Sequence, residues 1–298
     1  MSAKKSLDAV RREIDAIDDS IHDLLMKRTE VVERVAGLKT SPGGALRPGR
    51  EASILRRLVD RHSGGFPASA LVRIWCEIFS APMHIQGPFS IAVYQGDEDA
   101  AYWDLARNQF SAMTTMSGHQ SAARVIDTVA RGEATVGILP VPEHGDPDPW
   151  WPHLMNSDES IPRIAARLPF AGPAQGRAGD LGALVIGRVP VEDTGLDRTY
   201  VVIDASAEIP QSRLVSALAN SGFDAQFATT WQNDQARDAW FCLAEVDGFV
   251  AADDRRLSRL VEAFDGAVNG SVLIGGYPLP LSAEELAPKK ARPRKRKS

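Results

Sequence analysis

The sequence of 298 residues is poor in cysteine and has no long apolar run, and each absence excludes a class of protein. The two cysteines, Cys76 and Cys242, are far apart in the chain, which argues against a disulfide scaffold and a cysteine-rich zinc site. No apolar run reaches the roughly 18 residues of a membrane-spanning helix, and the N-terminus lacks the apolar segment of a secretion signal. We therefore expect a cytoplasmic protein with no membrane partner.

Positive charge is scarce in the middle of the chain. Residues 88–288 have a net charge of −15, whereas residues 1–87 carry +3 and the last ten residues, KKARPRKRKS, carry +7. An acidic body excludes a nucleic-acid-binding domain, so no nucleic acid is expected as a partner. We expect the basic tail, residues 282–298, to be disordered, with binding to RNA or an anionic surface as the alternative. The six histidines are scattered and no phosphate-cradling glycine loop occurs, so no metal or cofactor is predicted.

The most periodic part of the sequence is its beginning. Apolar residues recur three and four positions apart between Leu7 and Leu38, which predicts an amphipathic helix about 50 Å long. Because this helix is longer than one small domain needs, we expect its apolar face to pack against a second chain as well. Two shorter helices are predicted to follow, and Pro82 is expected to kink the third or end its regular hydrogen bonding.

Cations interrupt or flank this apolar face. Arg28 falls where the next apolar residue is expected, and a buried guanidinium needs an anion, either a neighbouring carboxylate or a ligand. Lys39 lies eleven residues further on and about 20° around the helix, so both side chains can reach one ligand. Arg11 lies about 25 Å from Arg28 along the helix, so a small ligand cannot bridge the two within one chain. By itself, Arg11 is typical of a solvated face.

The motifs LDAVRREIDAID, LLMKR, VAGLK and RPGRE together resemble the all-helical chorismate mutases over residues 7–87. The resemblance implies an intertwined homodimer that rearranges chorismate to prephenate in phenylalanine and tyrosine biosynthesis, without a cofactor or metal. It implies these site residues: Arg28 and Arg11 of the partner subunit for the two carboxylates, Lys39 and Gln86 for the ether oxygen, Glu51 for the ring hydroxyl, and Arg50 to support a carboxylate or Glu51. The sequence departs from the family at Pro82, where many relatives have serine, and at Arg47, where some have aspartate.

The remaining sequence resembles the other parts of a bifunctional chorismate mutase/prephenate dehydratase. IAVYQGDEDA and VGILPV resemble two strands of the dehydratase, so residues 88–190 are predicted to be a shortened α/β dehydratase-like region. Within it, residues 142–180 are expected to be mostly loop, and Ser117-Gly118-His119 an ordinary loop triplet. The region has no Thr-Arg-Phe motif and has Pro-Glu-His after the proline strand in place of the usual Glu-Asn, so we expect dehydratase activity to be lost.

The last part of the sequence alternates as strand, helix, strand, strand, helix, strand, which is the ferredoxin-like order. Residues 197–281 resemble an ACT domain, which binds an amino-acid effector in related enzymes. SRLV (212–215) and TTWQ (229–232) match the effector motifs poorly, which argues against phenylalanine binding.

The predicted architecture is therefore a multidomain chain: an all-α mutase domain (1–87), an α/β dehydratase-like region (88–190) and an α+β ferredoxin-like domain (197–281). Chorismate mutase is the predicted function. Two alternatives stay open: a non-catalytic regulator that binds an aromatic amino acid through its C-terminal half, and a bifunctional enzyme that also dehydrates prephenate.

Overall fold

The computed structural model describes residues 7–38, 46–85, 87–96, 100–172, 181–205, 209–232, 240–264 and 266–288. The helices of these residues are α1 (Leu7–Leu38), α2 (Pro48–Arg61), α3 (Ala68–Ile85), α4 (Ala101–Phe110), α5 (Ala122–Ala130), α6 (Gln211–Ser221) and α7 (Arg255–Glu262), with a 3₁₀ turn at Trp151–Leu154. The strands are β1 (Ser90–Tyr94), β2 (Thr115–His119), β3 (Val136–Pro140), β4 (Arg163–Leu168), β5 (Ala183–Gly187), β6 (Asp197–Ala205), β7 (Ala225–Gln232), β8 (Trp240–Asp247) and β9 (Val268–Pro278). None of the helices in these ranges is long and apolar enough to cross a membrane.

The first three helices form the all-helical part that the periodicity predicts. α1 has 32 residues and packs against α3. α2 begins with Pro48 at its first turn, where a missing N–H costs nothing, and buries Leu55 and Val59 against α3. α3 continues past Pro82 to Ile85, so the proline does not end the helix.

The middle of the chain is a sheet with helices on both faces. Its strand order is β2-β1-β3-β5-β4, with β1 parallel to β2 and β3, and β5 antiparallel to β3 and β4. Alternate residues of β1 point to opposite faces, so Ile91 and Val93 pack under α4 while Ala92 packs under α5. This confirms the α/β class for the middle of the chain.

The expectation that residues 142–180 are mostly loop is wrong for β4. Arg163–Leu168 pairs with β5 in this stretch, and Trp151–Leu154 forms a 3₁₀ turn whose Trp151 is buried. Arg163 and Arg167 break the apolar alternation of β4, which is why the sequence pattern hides the strand. Their guanidinium groups find polar partners, Arg163 at the carbonyl of Asn156 (2.7 Å) and Arg167 at the hydroxyl of Tyr277 (2.9 Å).

The last four strands have the predicted ferredoxin-like arrangement. Their order is β9-β6-β8-β7, all antiparallel, with α6 and α7 packed on one face. β9 also pairs with β4, where Ile164 lies opposite Gly275, so all nine strands make one sheet. Gly275 has φ +121°, and a Cβ there would lie 2.2 Å from the carbonyl oxygen of Ile164, so this junction requires glycine.

Candidate active site

The candidate site lies where α1, α2 and α3 meet. α1 contributes Arg28 to this site. The Arg28 guanidinium is half-buried, donates to the carbonyl of Ile78 (3.2 Å) and lies 5.7 Å from the ring centroid of Phe79, both on α3. Burial and the positive charge of Arg50 lower the pKa of Arg28, while Glu51 raises it. Within the part of the chain that the structure describes, no carboxylate lies within 4.0 Å of the guanidinium. Positive charge is therefore in excess at this point, which favours a ligand over a structural salt bridge.

Two further predicted site residues come from the first turn of α2. Arg50 is exposed and Glu51 is partly buried, and both interact electrostatically with Arg28. Burial raises the pKa of Glu51 to about 7, against the opposing effects of the Arg47 backbone N–H and the Arg28 charge. The structure thus brings Arg28, Arg50 and Glu51 together, and makes Glu51 a group that titrates near neutral pH.

Arg11 lies elsewhere on α1. Its side chain is 66% exposed and pairs with Asp8 at 3.5 Å, one turn away on the same helix. The helical rise places it about 25 Å from Arg28, so Arg11 and Arg28 of one chain are not brought together. Lys39 and Gln86 lie outside the described residues.

The apolar face of α1 is exposed over the length of the helix. The exposed fractions of its members range from 40% to 66%. These residues, called the α1 seam below, are Leu7, Val10, Ile14, Ile17, Ile21, Leu24, Val31 and Val35. A continuous apolar face of this length is typical of an interaction surface.

Arg47, one of the two departures from the family pattern, has a partner that sequence reasoning missed. It forms an ion pair with Glu192, from the segment that precedes β6. The two residues are 145 positions apart, so no local sequence signal predicts the pair. Pro82, the other departure, is buried in α3.

Ser117-Gly118-His119, expected to be a loop, belongs to the edge strand β2. Ser117 and His119 are two residues apart on one face of the strand, with Oγ and Nε2 at a distance of 3.0 Å. Both are exposed or half-exposed at the rim of the sheet. Their proximity is a consequence of the strand, and we assign no catalytic role to it.

The TTWQ segment (229–232), which the family resemblance places at the second effector motif, packs against other parts of this chain. Trp231, in TTWQ at the end of β7, stacks on Phe241 with centroids 6.1 Å apart and contacts Trp151 edge-on at 6.3 Å. Its indole N–H donates to the carbonyl of Pro147 at 3.1 Å. Among the residues of the described ranges, no group of three His, Cys, Asp or Glu side chains is arranged to hold a metal ion.

Comparison with known proteins relates the helical part to one enzyme family. Residues 10–87 match the family model of chorismate mutase type II. The bifunctional chorismate mutase/prephenate dehydratase of Stutzerimonas stutzeri is 27% identical over 147 residues, which is 47% of this chain and 40% of the relative. The enzyme of the same name from Neisseria gonorrhoeae is 31% identical over 117 residues, 39% of this chain and 31% of the relative. The chain therefore spans less than half the length of these relatives.

Among solved structures, prephenate dehydratase from Arthrobacter aurescens in complex with L-Phe is similar to this chain with a TM-score of 0.46. The sequence identity is 14%, over 68% of this chain and 93% of that one.

Proposed function

We propose that this chain, which carries a chorismate mutase type II domain over residues 10–87, is a homodimeric isomerase that converts chorismate to prephenate. The observation that carries the proposal is the meeting of Arg28, Arg50 and Glu51 inside that domain. An excess of positive charge beside one carboxylate suits a substrate with two carboxylates and a hydroxyl. Location in the cytoplasm is part of the proposal.

The reaction is a unimolecular rearrangement, so the protein has to bind and polarise the substrate, and no nucleophile is required. Holding the dianion in its compact reactive conformer removes the entropic cost of reaching it. Fixed positive charge near the ether oxygen stabilises the negative charge that grows there as the bond breaks. We assign Arg28 to a carboxylate, Lys39 and Gln86 to the ether oxygen, and Glu51 to the ring hydroxyl, with Arg50 as support.

The second carboxylate is assigned to Arg11 of the partner subunit. The α1 seam supports this part of the proposal, because the apolar seam of a second α1 helix could pack against it and bury both. In an antiparallel pair of long helices, the N-terminal Arg11 of each chain reaches the middle of the other. Each of the two sites is then built from both chains.

The other regions are assigned supporting roles. We assign residues 1–87 to the mutase domain, 88–190 to the dehydratase-like region and 197–281 to the ACT-like domain, limits supported by where α3, β5 and β9 end. The dehydratase-like region holds one five-stranded lobe, which is consistent with loss of the dehydratase activity. The packing of Trp231 against its own chain argues against an effector at that position.

A direct assay of chorismate consumption by the purified full chain tests the proposal. Prephenate is the expected product, and phenylpyruvate without added acid would instead support the bifunctional enzyme. A stable, dimeric protein that does not consume chorismate would contradict the proposal. Binding of an aromatic amino acid by that inactive protein would favour the regulator.

A further inference from the structure

The start of α2, which holds two residues of the candidate site, is bound to a segment from outside the mutase domain. Arg47, the N-cap residue of α2, is paired with Glu192. Gly49 lies so close to this segment that a Cβ there would be 2.9 Å from Cβ of Glu192 and 3.2 Å from Cγ2 of Thr194. The absence of a side chain at Gly49 is therefore what lets the two segments meet.

The same segment also binds α2 two turns further on. The Arg56 guanidinium donates to Oγ1 of Thr194 (2.8 Å) and to the carbonyls of Leu196 (2.7 Å) and Leu279 (2.9 Å). Leu196 and Leu279 flank β6 and β9 of the ACT-like domain. α2 is thus held at two points by the C-terminal half of the chain, with Arg50 and Glu51 between them.

A short series of contacts joins Glu192 to Glu51. The Arg47 side chain is held by Glu192, and the Arg47 backbone N–H acts on the carboxylate of Glu51, whose pKa it lowers. The Arg47 carbonyl accepts from the backbone N–H of Glu51 at 2.9 Å, which closes the first turn of α2. Displacing Arg47 would therefore disturb both the backbone and the carboxylate of Glu51.

We propose that Glu192 is a positioning residue for the mutase site, which it holds in its working geometry by fixing Arg47 and, through it, Glu51. This inference rests on the proposed mutase function. It makes the C-terminal half of the chain a necessary part of a site that lies wholly in the N-terminal domain.

A purely stabilising role is the competing explanation, and the geometry of the ion pair argues against it. The side chains of Arg47 and Glu192 are only 35% and 25% exposed, so both charges lose much of their hydration when the chain folds. Nε of Arg47 and Oε2 of Glu192 are buried and have no hydrogen-bond partner among the residues that the structure describes. A pair of this kind gains little net stability over apolar side chains, because the cost of desolvation offsets the attraction of the charges.

Titration of Glu51 supplies a readout that separates the two roles. Arg28 of α1 and Cys76 of α3 interact electrostatically with Glu51, and Arg167 of β4 lines the same small cavity as Glu51. The Arg47 N–H favours the ionised carboxylate, so its loss raises the pKa of Glu51. If ionised Glu51 receives the substrate hydroxyl, the acid limb of the pH profile then moves to higher pH.

The experiment compares full-length Glu192→Ala, Glu192→Gln and the charge-exchanged double variant Arg47→Glu/Glu192→Arg with the wild type. We expect Glu192→Ala to lower kcat/KM about tenfold and to move the acid limb upward by about half a pH unit or more. Glu192→Gln retains a hydrogen bond to Arg47 and should be intermediate, and the double variant should recover most of the activity. Asp127→Asn, which removes the surface pair with Arg131 (3.0 Å), is the matched control and should behave as wild type.

Hydrogen exchange of the 47–56 amides in each folded variant provides a measurement that does not depend on activity. Faster exchange in Glu192→Ala, reversed in the charge-exchanged variant, is expected. If the wild type is active and Glu192→Ala keeps its kcat/KM and pH profile, the positioning role is refuted and the mutase function stands. If the wild type is inactive, the mutase function fails and this inference fails with it.

Discussion

Replacing Arg28 with alanine separates a ligand-binding arginine from a structural one. In the folded chain, Arg28 gains one hydrogen bond to a carbonyl and one contact with the Phe79 ring. A charged hydrogen bond and a partly exposed cation–π contact are together worth about 2 kcal/mol. Burial and the nearby charge of Arg50 oppose this gain, as the lowered pKa of Arg28 indicates. We therefore expect Arg28→Ala to change the free energy of unfolding by less than about 1 kcal/mol.

The expected loss of activity is much larger. Removing the charge that binds a carboxylate at a desolvated site should lower kcat/KM by about 100-fold or more, which equals about 2.7 kcal/mol of transition-state stabilisation. Chorismate consumption and urea unfolding of the same preparation measure the two effects. Arg57→Ala, an exposed cation two turns along α2 from Arg50, is a matched control and should retain activity. A loss below about tenfold, or a large loss of stability, would refute the ligand-binding role.

Three other variants test the site and its dimer. Because the pKa of Glu51 is raised to about 7, its carboxylate is ionised above that pH and neutral below it. We therefore expect kcat/KM to fall as the pH is lowered through about 7. Glu51→Gln should remove this pH dependence and lower the activity at higher pH. Gln86→Glu should move the pH optimum to acid, since a carboxyl group donates to the ether oxygen only when protonated; an unchanged profile would exclude Gln86 from that contact. Ile17→Asp in the α1 seam should yield inactive monomers by analytical ultracentrifugation, whereas exposed Asp19→Asn should not, and a dimeric Ile17→Asp would contradict the seam as the interface.

The elements that the sequence predicts best are those in which a regular apolar pattern extends over many residues. α1 follows from apolar residues three and four apart, and the ferredoxin-like domain from alternating strands and helices. β4 is hidden because Arg163 and Arg167 stand within it. Arg167 becomes understandable only in the folded sheet, where Glu245 of β8 lies 3.6 Å from it and is itself buried. The sequence of β4 alone does not predict that Arg167 pairs with Glu245, which is almost 80 residues away.

For the candidate site, too, the sequence predicts some residues, whereas other properties depend on the folded structure. Arg28 is visible in the sequence because a cation interrupts an apolar face, and the family resemblance adds Arg50 and Glu51. The raised pKa of Glu51 depends on the burial of its carboxyl group in the folded chain, which sequence spacing does not report. The amide of Gln86 is neutral at all working pH values, so Gln86 alone predicts an activity that is nearly independent of pH. The raised pKa of the buried Glu51 instead predicts an activity that falls below about pH 7. The pairing of Arg47 with Glu192 likewise depends on how distant segments meet.

Complementation between two inactive variants tests the central claim, a mutase whose site is shared by two chains, most directly. Arg11→Ala and Arg28→Ala should each be nearly inactive, because each removes one carboxylate ligand from both sites of the homodimer. Subunit exchange makes about half of the dimers heterodimers, in which one site is intact and the other carries both substitutions, so about a quarter of the wild-type activity should return. Heterodimers detected by native mass spectrometry, with activity no higher than that of the separate variants, would contradict the shared site.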